Sequence, residues 1–128
     1  MRELMHGCAA AVLLLGVAAC GRSEGGPLQR ISDVHHGREL VAREGCGTCH
    51  DIPGVAGAEG RVGPPLGTIG VRTMIAGMLP NTPPNLVHWI RAPQSVVPGN
   101  AMPDMEISEH DARDIAAFLN FASVSSGR

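Results

Sequence analysis

The chain has no lysine: all ten basic residues are arginine, set singly along 128 residues that carry a formal net charge of −2. Scattered cations do not form the basic stripe of a nucleic-acid footprint, so that class is set aside. Aromatic side chains are scarce too, at 2% of the residues: Trp89, Phe118 and Phe121. Small domains struggle to bury enough surface, and the side chains that bury most are nearly missing here. Yet 44% of the residues are hydrophobic, too many for a disordered chain, and the length is too short for two ordinary domains. One small domain whose interior is completed by something other than protein, such as a macrocycle, meets these limits. Repeats and convincing strand patterns are also lacking. So is an apolar run long enough to cross a membrane.

The longest apolar run, about Cys8 to Ala19, follows Arg2 and has the length of a secretory signal core. It ends in "VAAC", which resembles the bacterial lipoprotein signal, with Cys20 as the lipidated N-terminus. The alternative is an ordinary cleaved signal with Cys20 incidental. Residues 1–19 are therefore expected to be removed, and 20–30, polar and glycine-rich, to form a tether. About ten flexible residues reach on the order of 18 Å, which keeps the domain close to a membrane surface. Two or more acyl chains make such anchoring stable. This is the pattern of an exported bacterial protein facing the periplasm or the outer side of the cytoplasmic membrane.

Of four cysteines, Cys8 falls in the signal and Cys20 takes lipid, so Cys46 and Cys49 remain for "CGTCH". No disulfide framework can be built from what is left. A structural zinc site needs four ligands, and only His35 and His36 upstream could complete one, by coincidence. A thioredoxin-like redox pair needs a βαβ setting, and these flanks are rich in Gly and Pro. C-x-x-C-H is the attachment signal of covalent c-type haem. In that chemistry Cys46 and Cys49 add to the vinyl groups and His50 binds iron. His50 Nδ1 then needs an acceptor to fix the ring. Gly47 permits close approach of backbone to the macrocycle.

Around this motif the pattern is helical. In "ISDVHHGRELVAREG", Val34, Gly37 and Val41 share a face with Leu40 beside them; Ser32 or Asp33 serves as cap and Gly45 as terminator. His35 and His36 are expected to face solvent. A long Gly/Pro-rich loop follows, of the kind that needs something to order it. "RTMIAGML" is expected to be a short helix that packs Met74 and Met78 into the core. Asn81 or Thr82 caps the next helix, Pro83 occupies its first position, and Leu86, Trp89 and Ile90 share one face. Pro98–Gly99 suits a type II turn. Ser108 and Asp111 resemble a capping box ahead of the stripe Ile115, Phe118, Leu119 and Ala122. The acids Asp104, Glu106, Glu109, Asp111 and Asp114 read as a solvated face. The domain is placed at 31–124, with 125–128 as a disordered tail.

Met102 lies between a Pro-Gly turn and Pro103, which stiffen the loop and hold it extended. That suits a thioether presented as second axial ligand; Met105 is the alternative. At this point the chain resembles the class I c-type cytochromes, above all the cytochrome c domain of bacterial haem–copper oxidase subunit II. The likeness runs from about Gly37 to Leu119, on "GRELVAREGCGTCH", "GPPLGTIGVR", "GMLPNTPPNLVHWIRAPQSVVPGNAMP" and "DIAAFL". It implies an all-α fold of three to five helices around one covalent haem c. It also implies that Gly37 lets the first helix cross the last, against Ile115 and Phe118. Pro64 would offer its carbonyl to His50, Leu66 would pack on the ring, Arg72 would pair with a propionate, Trp89 would lie against the haem, and Met102 would bind iron.

The expected function is one-electron transfer by a monomeric carrier, not an enzyme, that serves a respiratory chain. A terminal oxidase or dehydrogenase would be its redox partner, and a lipid its hold on the membrane. A fixed haem subunit of such a complex is the alternative; a haem sensor open on one side is a third. The copper-binding domain and membrane helices of subunit II are absent from the sequence, and so is the lysine ring many cytochromes dock with.

Overall fold

Proline has a fixed φ and no N–H, which suits it to the first position of a helix. The first helix, α1, starts on that signal, at Pro27 behind Gly26, and runs Pro27–Arg43. The computed structural model describes residues 26–126. Expectations for residues 1–25, the signal and Cys20 among them, lie outside that range, as do Gly127 and Arg128. Within it, α1 begins before the expected caps Ser32 and Asp33, and it takes Pro27–Arg30 from the stretch read as tether. Gly45 closes the helix as expected: its φ of 73° is left-handed, and its N–H reaches Ala42 O at 3.4 Å.

α1 packs mainly on the last helix, α4, Glu109–Ser126. The expected stripes meet there: Leu40 and Val41 from α1, and Ala112, Ile115, Phe118, Leu119 and Ala122 from α4, are all buried. Gly37 sets the crossing. A Cβ at this position would collide with the Asp114 carbonyl and touch Phe118 Cβ at 3.0 Å. The two backbones thus approach as closely as a glycine allows. Ser108 Oγ accepts from Asp111 N at 3.0 Å and caps α4. α4 continues through Ser125 and Ser126, so the helix enters the stretch read as tail.

The acids at the start of α4 do not form one solvated face. Asp114 is buried, and its Oδ2 lies 2.7 Å from His36 Nδ1, so neither of these two residues points freely into water. The hydrogen bond to Asp114 is the main cause of an upward shift in the His36 pKa, ahead of the opposing effect of desolvation.

Between these helices lie α2 (Pro83–Arg91) and α3 (Pro93–Val96). Thr82 Oγ1 caps α2 from 3.4 Å, and Leu86 and Ile90 are buried beneath it. The segment expected to be a helix at "RTMIAGML" is instead a small hairpin. β1 (Met74–Ile75) pairs antiparallel with β2 (Leu79–Pro80). Ala76 and Gly77 have φ of 50° and 71°, the double positive signature of a type I′ turn. Strand alternation exposes Met74 (41%) and buries Ile75, and the turn exposes Met78 (60%), which overturns the core role expected of both methionines. Two-residue strands leave too short an alternation to be read from sequence. A 3₁₀ turn at Ile69–Val71 is tied to α4 by Gly70 N, which donates to Ser123 Oγ at 2.9 Å.

Gly37→Ala should destabilise the domain by about 1–3 kcal/mol or more, as overpacking of a closed helix crossing does. Denaturant unfolding of the two proteins side by side measures it; equal midpoints would mean that the crossing is looser than described.

Candidate haem site

The CGTCH segment follows α1 directly. Its first three residues, Cys46–Thr48, form a 3₁₀ turn, and Cys49 N and His50 N both donate to Cys46 O, at 3.2 and 3.0 Å. One turn of backbone therefore presents two thiols and an imidazole. The long loop behind it is ordered by its own backbone. Gly60 N donates to Gly47 O and His50 O, Gly63 N to Cys49 O at 2.8 Å, and Leu66 N to Asp51 O at 2.9 Å. Three glycines are needed for this winding. A Cβ on Gly60 would strike the Cys49–His50 peptide, and one on Gly63 would strike the His50 ring. One on Gly47 would come within 2.6 Å of Ala58 Cβ, so the close neighbour of Gly47 is this loop.

His50 Nδ1 lies 2.8 Å from Pro64 O. A carbonyl can only accept, so Nδ1 carries the proton and the lone pair of the neutral ring is on Nε2. The sequence demanded such an acceptor, and Pro64 stands where it was expected.

These groups border a largely apolar cavity of about 460 Å³, within the ordinary range for a cofactor pocket. Core residues line it, Val41, Ile52, Ile75, Leu86, Ile90, Ile115 and Leu119 among them. So do Cys46, Cys49, His50, Pro64, Leu66, Arg72, Trp89 and Met102, so the cavity gathers every expected cofactor-binding residue. Met105 borders it as well. Arg72 is half-buried and donates to Pro65 O at 2.7 Å and Thr68 Oγ1 at 3.3 Å, partners that steady it at the pocket edge.

The chemistry of the donor set fits a haem. Burial pushes the Cys46 thiol up, the opposite of the lowered pKa that marks a reactive redox cysteine. Cys46 and Cys49 form no disulfide. Among the described residues, the three metal-ligating side chains whose donor atoms gather within 4.8 Å are His36, His110 and Asp111, not the CGTCH set. Two thiols on a pocket wall, beside one aimed imidazole, suit attachment to a wide planar group better than chelation of a bare ion.

Sequence reasoning missed the side-chain amides that hold this frame. Gln94 Nε2 donates to Met102 O at 2.7 Å and Asn100 O at 2.9 Å, while its Oε1 accepts from Gly99 N at 2.8 Å. Asn100 Oδ1 accepts from Met102 N at 2.8 Å. Gly99 has a φ of 80°, and Asn100 N donates to Val97 O, as the Pro-Gly turn predicted. Asn81 Nδ2 likewise bridges Ile69 O and Arg72 O. The available signal was an amide beside each proline-rich turn, where backbone donors are missing and side chains replace them.

A helical domain wrapped on an apolar pocket, with CxxCH at its edge and the histidine held by a carbonyl, defines the class of c-type cytochromes. A family model for cytochrome c matches residues 34–123, and the chain belongs to that family. Curated relatives include cytochrome c oxidase subunit 2 of Alkalihalophilus pseudofirmus, 37% identical over 92 residues that make up 71% of this chain and 26% of that one. The subunit of the same name in Bacillus subtilis is 37% identical over 82 residues, covering 59% and 23%. That of Bacillus sp. strain PS3 is 38% identical over 66 residues, covering 50% and 18%. The chain thus spans about a quarter or less of the length of these relatives. No solved structure matches it.

Gln94→Leu removes three hydrogen bonds from the Met102 loop, each worth about 1 kcal/mol. Amide exchange at Gly99 and through 98–105 should quicken about tenfold or more, with α1 and α4 unchanged. Peptide-resolved hydrogen exchange reads this, and unchanged loop protection would remove Gln94 from its place as the brace.

Proposed function

We propose that this protein is a one-electron carrier built on a single covalent haem c, held close to a bacterial membrane and serving a respiratory chain. The observation that carries the proposal is His50, its Nδ1 bound to Pro64 O and its ring on an apolar pocket that Met102 shares. Cys46 and Cys49 would hold the group through thioethers, and His50 and Met102 would bind its iron, with Met105 as the alternative thioether. Bound there, a haem supplies one-electron exchange, with an apolar pocket and a thioether both favouring the reduced iron. The chain's part is to hold two ligands at fixed positions, so that little rearrangement accompanies each electron. Arg72 lies where a propionate needs a charge-assisted partner. Leu66 and Trp89 keep water from the ring. No substrate atom moves, so the protein is a carrier and not an enzyme in its own right.

A terminal oxidase is the favoured partner, on the strength of the subunit 2 relatives. Without lysine, contact rests on the apolar rim, where Val62, Ala76, Ala101 and Pro103 border the pocket and are exposed. Redox encounters use small, weak interfaces, and a lipid on Cys20 would raise local concentration to compensate. Among the described residues no helix is long and apolar enough to cross a membrane. The anchor is assigned to Cys20, on the "VAAC" that ends the apolar run, in an exported, monomeric lipoprotein. A second reading, a fixed haem subunit of an oxidase, is favoured by the same relatives; it differs by stable co-purification with a larger complex.

Protein matured with haem-attachment machinery should gain the mass of one haem and show c-type bands on reduction; polypeptide and lipid mass alone would end the proposal. Met102→Ala should abolish the red-edge Fe(III)–thioether band and let the reduced form bind CO rapidly. If Met105→Ala does so instead, the ligand is Met105. Cys20→Ala should move the protein from membranes to the soluble exported fraction, and an unchanged distribution would place the anchor elsewhere.

A further inference from the structure

Away from the haem pocket, the α1–α4 crossing gathers a second set of donors. We propose that His36, His110 and Asp111 form a divalent-cation site, fitted to zinc, that bridges the first and last helices. The donor atoms of these three side chains all lie within 4.8 Å of one another, and none of the three borders the haem pocket.

The spacing supports an ion, not a direct bond. His110 Nδ1 stands 3.7 Å from Asp111 Oδ1 and 3.6 Å from Asp114 Oδ2. Both distances are too long for a hydrogen bond. Zinc binds nitrogen and oxygen at about 2.0–2.2 Å, so two donors at a tetrahedral angle sit roughly 3.3–3.5 Å apart. A small adjustment of the exposed His110 ring brings the His110–Asp111 pair to that distance, and His36 has to close on it from within 4.8 Å.

Asp114 supplies the outer shell. Its side chain is only 8% exposed, and Oδ2 accepts from His36 Nδ1 at 2.7 Å. A histidine held this way on Nδ1 has Nε2 as its free donor, the carboxylate–histidine–metal arrangement of many zinc sites. The carboxylates of Asp111 and Asp114 balance the charge of a divalent ion. They also offset the positive end of α4, which alone would oppose a cation. An entry path exists, since the His36 side chain is 40% exposed and that of His110 73%. Binding at Nε2 would leave the His36 Nδ1–H on Asp114.

The test is calorimetric titration of the haem-loaded full chain with zinc sulfate near pH 7.5, in a non-chelating buffer. One ion per chain is expected. His110→Ala and Asp111→Asn should each weaken binding at least about tenfold. His35→Ala, which alters an exposed histidine outside the set, should change it less than twofold. Zinc should also raise the melting temperature of the unaltered protein and not that of His110→Ala, with the visible haem spectrum unchanged. No stoichiometric binding, equal binding by His110→Ala, or equal weakening by His35→Ala would each overturn the proposal. His110 is exposed, and half-buried Asp111 keeps its size and shape as asparagine, so folding of the variants is not at stake.

Discussion

Two helix backbones touch at Gly37, and the rest of the domain is arranged around that contact. Because no side chain stands between α1 and the Asp114 carbonyl, α1 and α4 lock at one register. That register buries Leu40 and Val41 against Ile115 and Leu119, and Val41, Ile115 and Leu119 then become part of the pocket lining. The end of α1 is fixed at the same time, and the CGTCH turn leaves from it within two residues. Position of the attachment motif is thus inherited from a helix crossing less than two turns before the end of the same helix.

The pocket is framed by main chain more than by side chains. Loop glycines 60 and 63 press backbone onto the motif, and the Pro64 carbonyl receives the imidazole. On the Met102 loop the same task falls to amide side chains, Gln94 and Asn100, because Pro98, Gly99 and Pro103 interrupt regular pairing. Both strategies fix the residue that faces the pocket before any cofactor arrives. Few aromatic residues are needed in such a domain, since an apolar cavity of about 460 Å³ lies among its core residues.

Much of this was legible in sequence because the signals were strong and local. CxxCH, the Thr82–Pro83 helix start, the Pro-Gly turn and the α4 stripe each carry their meaning within a few residues. Gly37 and Pro64 were legible through family resemblance, since nothing local says what crosses a glycine or what a carbonyl accepts. The hairpin at Met74–Pro80 was missed because methionines four apart imitate a helix face, while the deciding feature was the left-handed pair Ala76–Gly77. His36 and Asp114 were assigned to solvent because their partnership spans the whole domain, and sequence distance hides it. Gln94 was passed over because an amide announces no chemistry until its partners are known.

The acceptor for the motif histidine is a peptide carbonyl, locked between two prolines' worth of rigid chain. Many metal-bound histidines lean on a carboxylate, whose grip changes when it takes up a proton. A peptide oxygen has no such second state in water. The Pro64 carbonyl therefore offers the ring the same acceptor in acidic and in neutral surroundings.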